Sequence, residues 1–183
     1  IEPHAVLPEN KVAQRLPGID GSAKMSKSLG NCIYLADDKK TVKKKVMSMY
    51  TDPDHINIKD PGKVEGNIVF TYLDVFSNDS HFEKYLPEYK NLDELKTHYQ
   101  KGGLGDVKVK KFLIKVLEEE LEPIRKKRAY YEQNLDQVLE ILNKGTADAR
   151  EVGRSKINAV KKSMGIDYFA DSRFLKEIKE KYN

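Results

Sequence analysis

The chain has 183 residues, of which 33 are basic and 29 acidic, a net charge of +4, 39% hydrophobic residues and a mean hydropathy of -0.67. That length holds one domain with a core able to stand without staples, and no apolar run approaches the ~20 residues that span a bilayer. Cys32 is the single cysteine and His4, His55, His81 and His98 show no ligand spacing, which excludes an internal disulfide, a thiolate zinc site and an iron–sulfur framework and fits a reducing cytoplasm.

Up to Asn31, Pro3, Pro8, Pro17, Gly18, Gly21 and Gly30 deny any long helix. Within that stretch lies Lys24-Met25-Ser26-Lys27-Ser28. Two ammonium groups and two hydroxyls on a short loop between glycines can wrap a polyanion. Beyond Ala36 the pattern turns helical. Asp37 or Asp38 caps a helix over 39–49, with Val42, Val46 and Met49 on one face. Loops follow at 51–54 and 59–62. A helix over 65–76 carries Ile68, Val69, Tyr72, Leu73 and Phe76 in phase, and Asn91 caps a segment closed by Gly102-Gly103. Asp106 caps the longest candidate, with Val109, Phe112, Leu113, Val116, Leu117 and Leu121 inward. Pro123 must kink or interrupt it. The pattern resumes at Ile124 and stops at Gly145, and two further helices cover 146–164 and 172–182. No stretch alternates as a strand does. The fold class expected is mainly α, a helical bundle over 37–183 after an irregular segment over 1–36.

Basic clusters punctuate these helices: Lys39-Lys40, Lys43-Lys44-Lys45, Lys108 with Lys110-Lys111, residues 125–128, and Lys161-Lys162. Each reads either as a solvated face paired with nearby acids or as a phosphate-contacting surface. Asp52, in the Thr51-Asp52-Pro53 turn, either caps its own turn or accepts a hydrogen bond from a base edge. Of the adjacent Tyr130 and Tyr131, at least one is expected in the core.

The phrase Leu16-Pro17-Gly18-Ile19-Asp20-Gly21-Ser22-Ala23-Lys24-Met25-Ser26-Lys27-Ser28-Leu29-Gly30-Asn31 resembles the KMSKS signature of class I aminoacyl-tRNA synthetases. With Ile33 to Asp38, residues 43–49 and the Thr51-Asp52-Pro53 turn, it is similar in particular to the bacterial tryptophanyl-tRNA synthetase family. The resemblance implies ATP-dependent formation of tryptophanyl adenylate, with Mg²⁺ accompanying ATP, then transfer to tRNA(Trp). Carried onto this sequence, Lys27 stabilises the departing pyrophosphate, Lys24 neutralises phosphate charge and Ser26 hydrogen-bonds phosphate. The backbone of Met25 lies near the adenine, and Ser28 completes the ATP-binding set. The helices after Asp37 correspond to an anticodon-binding domain, where Arg125, Arg128, Lys44 and Asp52 are candidate tRNA contacts. The parent is expected to be a cytoplasmic homodimer. The chain has no His-x-Gly-His signature, no doubly wound pattern, and begins at Ile1. The expectation is therefore a C-terminal half, inactive alone, lacking the Rossmann-like catalytic domain. A tyrosyl-type C-terminal half and a stand-alone helical RNA-binding module are the alternatives.

Overall fold

The computed structural model describes residues 3–182, and these divide into two compact units after Arg128. In the first unit a short turn, α1 (Lys11–Gln14), precedes the irregular segment. Then come α2 (Lys39–Met47), α3 (Ile68–Phe76), α4 (Asp79–Tyr85), α5 (Leu92–Lys101) and the start of α6 (Asp106–Gln133). Among the described residues there is no strand, only an isolated bridge between Pro17 and Lys24.

Local chemistry places most helix starts. The first amides of a helix lack partners, and a short polar side chain just ahead of them supplies one. Asp38 accepts from the Thr41 amide at 2.7 Å, Asn67 from Val69 at 3.1 Å and Asn91 from Glu94 at 3.0 Å. Asn78 and His81 cap α4 reciprocally. The sequence pattern does not predict that short helix, and α2 and α3 each prove shorter than expected. Asp106 is the first residue of α6 rather than its cap. Its carboxylate accepts the Tyr99 hydroxyl at 2.7 Å.

The core of this unit joins Val42 and Val46 of α2, Val69, Tyr72 and Leu73 of α3, Leu95 and Tyr99 of α5, and the expected inward face of α6. Phe82 meets Phe112 with ring centroids 4.6 Å apart. His55 is buried with its ring edge-on to Tyr99 at 4.6 Å.

Pro123 does not interrupt α6, which is helical to Gln133. Pro123 is exposed, so water can serve the carbonyl that its missing N–H leaves without a donor. The break falls at Asn134, whose side-chain amide donates to the Tyr130 carbonyl at 2.7 Å. In the second unit α7 (Leu135–Met164) runs straight through Gly145, and Gly165 ends it in the left-handed region at φ 67°. A glycine inside a helix costs only about 1 kcal/mol, too little to stop one. Neither α7 nor α8 (Ser172–Tyr182) has a buried residue, and Tyr130 and Tyr131 are both exposed. Among the described residues every buried side chain thus lies in the first unit, and the mainly α class expected from the sequence holds in both. Among the described residues no helix is long and apolar enough to cross a membrane.

Candidate functional site

The lysine loop is fastened at its base by backbone hydrogen bonds. The Met25 amide donates to Leu16 O at 3.0 Å, the Gly18 amide to Ala23 O at 2.7 Å, and the Ile19 amide to Asn31 O at 3.0 Å. The base is tied to the core in turn. The Tyr72 hydroxyl donates to Pro17 O at 2.7 Å, and the Tyr50 amide to Ile19 O at 3.1 Å. Burial pushes the Tyr72 phenol well above its ordinary value, so this donor keeps its proton.

Asn31, 4% exposed, sits inside the loop. Its Oδ1 accepts from the Ser26 amide at 2.8 Å, and its Nδ2 donates to Asp20 Oδ1 at 3.1 Å and, at longer range, to Lys24 O at 3.4 Å. Asp20 also accepts the Ser22 hydroxyl at 2.7 Å. That hydroxyl foremost, with the Asn31 amide, holds the Asp20 carboxyl below the usual range. A Cβ on Gly18 would lie 2.1 Å from Asn31 Nδ2, so only glycine fits beneath it. Gly30, at φ 67°, closes the turn carrying Lys27 and Ser28, its amide donating to Lys27 O at 3.1 Å.

On this frame Lys24 and Lys27 are exposed, the Ser26 and Ser28 hydroxyls are 2.9 Å apart, and half-buried Met25 packs on the core. A depression of about 490 Å³ beside them is lined by Gln14, Arg15, Leu16, Lys24 and Met25. Two cations, two hydroxyls and an apolar sulfur on a fixed backbone suit a polyphosphate carrying a planar base.

The candidate RNA contacts lie elsewhere in the first unit. Lys44 is exposed on α2, and Arg128 is exposed at the end of the unit. Asp52 is buried, with Oδ1 accepting from the Asp54 amide at 3.0 Å and Oδ2 from the Lys63 amide at 2.7 Å. Those bonds, the Lys63 amide foremost, lower its pKa. The Arg125 side chain is 15% exposed, bonded to Glu118 at 2.6 Å, Glu122 at 2.9 Å and Asp37 O at 3.1 Å. Arg125 and Asp52 thus have their hydrogen bonding engaged within the protein. Lys39 of α2 also reaches Glu122 at 3.3 Å, so the start of α2 and the 118–125 stretch of α6 form one charged surface.

Sequence reasoning named Asn31 in the signature phrase and Lys110 in a basic cluster but read the structural role of neither. Asn31 shows no signal for that role beyond its place at the end of the signature phrase, after a turn glycine. Lys110 left one: it falls in phase with Leu113 and Leu117, on the side of α6 that faces the core.

Residues 2–122 match the sequence profile of the tRNA synthetases class I (W and Y). The tryptophan–tRNA ligase of Streptococcus mutans is 54% identical over 169 residues, and that of Lactococcus lactis 55%. Each alignment covers 92% of this chain and 48% of the relative, so the chain spans about half the length of the curated relatives it matches. Among solved structures, tryptophanyl-tRNA synthetase from Campylobacter jejuni complexed with ADP and tryptophane aligns with a TM-score of 0.68 at 28% identity, covering 85% of this chain and 45% of that one.

Proposed function

Because this chain belongs to the class I tRNA synthetases of the W and Y type, we propose that it supplies the signature loop and helical part of a cytoplasmic tryptophan–tRNA ligase. The reaction has two steps. A tryptophan carboxylate attacks the α-phosphorus of ATP, giving tryptophanyl adenylate and pyrophosphate, and the aminoacyl group then passes to tRNA(Trp) with release of AMP. Residues 1–36 act as the edge of the catalytic domain and 37–183 as the tRNA-facing part. The tryptophan ligases among the relatives favour this over the tyrosyl alternative.

The observation that carries the reading is the pair of exposed lysines on a backbone fastened from within. Lys27 Nζ meets the negative charge that grows on the leaving pyrophosphate, Lys24 Nζ neutralises the polyphosphate, and the Ser26 and Ser28 hydroxyls donate to its oxygens. A cation already in place where charge develops lowers the barrier without reorganisation. Met25 offers its backbone beside the adenine. Among the described residues no group of three His, Cys, Asp or Glu side chains gathers as a metal site. Mg²⁺ belongs with the ATP phosphates. For tRNA, Lys44 and Arg128 with Lys40 and Lys43 are the proposed phosphate contacts, while Arg125 and Asp52 shape the surface that carries them.

The test is Lys27→Ala in the full-length enzyme, read by ATP–pyrophosphate exchange. The expected loss is about 10²–10³-fold in turnover, and wild-type exchange would overturn the assignment.

A further inference from the structure

We propose that Asn31 is a positioning residue for adenylate formation: its buried side-chain amide latches the lysine loop in the geometry that presents Lys24 and Lys27. The inference rests on the reading of that loop as the ATP site. One amide group binds the loop at Ser26 N, Asp20 Oδ1 and Lys24 O. Two of the partners belong to the signature itself. Ser26 stands between the two lysines in sequence, and Lys24 O is the carbonyl of the first. The amide is therefore fastened to the backbone from which both ammonium groups extend, and Asn31 has no side-chain reach to a ligand because it is buried beneath them.

The polarity of the latch is fixed from both ends. The Ser26 amide can only donate, so Asn31 must turn its oxygen there. That leaves the NH₂ facing Asp20, whose lowered pKa keeps it an ionised acceptor. Exchanging the NH₂ for an oxygen would set two carboxylates face to face. Gly18 gives the amide its space, since a Cβ there would lie 2.1 Å from Nδ2.

The geometry gives a kinetic signature. Ground-state ATP still meets two flexible lysines when the latch is cut, whereas the transition state needs them placed. In the full-length enzyme Asn31→Asp is expected to lower kcat for pyrophosphate exchange by about 10–100-fold while the KM for ATP changes less than about threefold. The double variant Asp20→Asn with Asn31→Asp restores a donor–acceptor pair with its direction reversed, and is expected to recover most of that kcat. A kcat for Asn31→Asp near wild type, or an equal loss in the double variant with unaltered circular dichroism, would overturn the proposal. Amide exchange in the 183-residue chain gives a readout independent of catalysis. The Ser26 amide is expected to be protected in wild type and to exchange faster in Asn31→Ala, and equal rates would overturn the latch. If Lys27→Ala retained full exchange activity, the ATP-site reading would fail while the Ser26 measurement still judged the latch itself.

Discussion

Asp52 illustrates how a single side chain can look like a recognition group and serve as a brace. Both of its oxygens accept backbone amides, from Asp54 and Lys63. They join the turn after α2 to the segment leading into α3, and these bonds depress its pKa. A depressed carboxyl pKa means that the unfolded chain binds the proton more tightly. The stability from this group is complete above the unfolded value of about 3.9 and is lost as pH falls through the lower folded value. Asn at this position can satisfy only one of the two amides. In urea unfolding of the chain, Asp52→Asn is therefore expected to be less stable than wild type at pH 6, with the gap closing as the pH falls below 4. A gap independent of pH would show that the ionised form has no special place there.

At the scale of elements, the junction of α2 and α6 depends on a lysine whose cluster the sequence left open between a solvated face and a phosphate-contacting surface. Lys110 is 9% exposed and donates to Met47 O at 3.1 Å and Met49 O at 2.8 Å, at the C-terminal end of α2. Helix-end carbonyls lack partners and carry the negative end of the helix dipole, so a cation there serves both needs. Burial lowers its pKa, the opposing effect of desolvation. Lys110→Met keeps the stem and removes the donors, and is expected to destabilise the chain by about 1–3 kcal/mol in urea unfolding. Unchanged stability would mean that water takes over both carbonyls. The same scale shows what was legible. Asp38 and Asn91 could be read as caps because a cap needs only its own next three residues. The α6 face could be read because Val109 to Leu121 keep the helical period. Gly145 misled because its penalty of about 1 kcal/mol is small beside the surrounding helix, and Pro123 because its exposure, which lets water serve the carbonyl left without a donor, is not visible in the sequence. The helix α4 (Asp79–Tyr85) was invisible because so short a helix cannot display a period.

Across the whole molecule, a net charge of +4 conceals a local pattern. Lys39 is paired with Glu122, Lys45 with Asp37 at 2.5 Å, and Arg125 with Glu118, while Lys40, Lys43 and Lys44 are exposed on α2. Neutralising a phosphate releases counterions, so the number of phosphates engaged appears as the salt dependence of RNA binding. Replacing Lys40, Lys43 and Lys44 by Gln in the full-length enzyme is expected to reduce the slope of log K against log salt by about 0.7–0.9 for every phosphate that is no longer neutralised. An unchanged slope would place the phosphate path on another face. Lys24 and Lys27 were legible as candidates because a five-residue signature concentrates its chemistry in the side chains that meet solvent. Asn31 was not, because its role exists only once Asp20, Lys24 and Ser26 have been folded around it.

The fastening between Ile19 N and Asn31 O brings the two ends of a thirteen-residue stretch together, which makes it an Ω-loop in form. Fixing backbone torsions in a loose segment of that length would cost about 1–2 kcal/mol per residue in entropy. Here folding has already met most of that cost. What remains for a ligand to order is the long side chains of Lys24 and Lys27, at about 0.5–1.5 kcal/mol each. The loop thus keeps its lysine rotamers adaptable while its main chain is decided in advance.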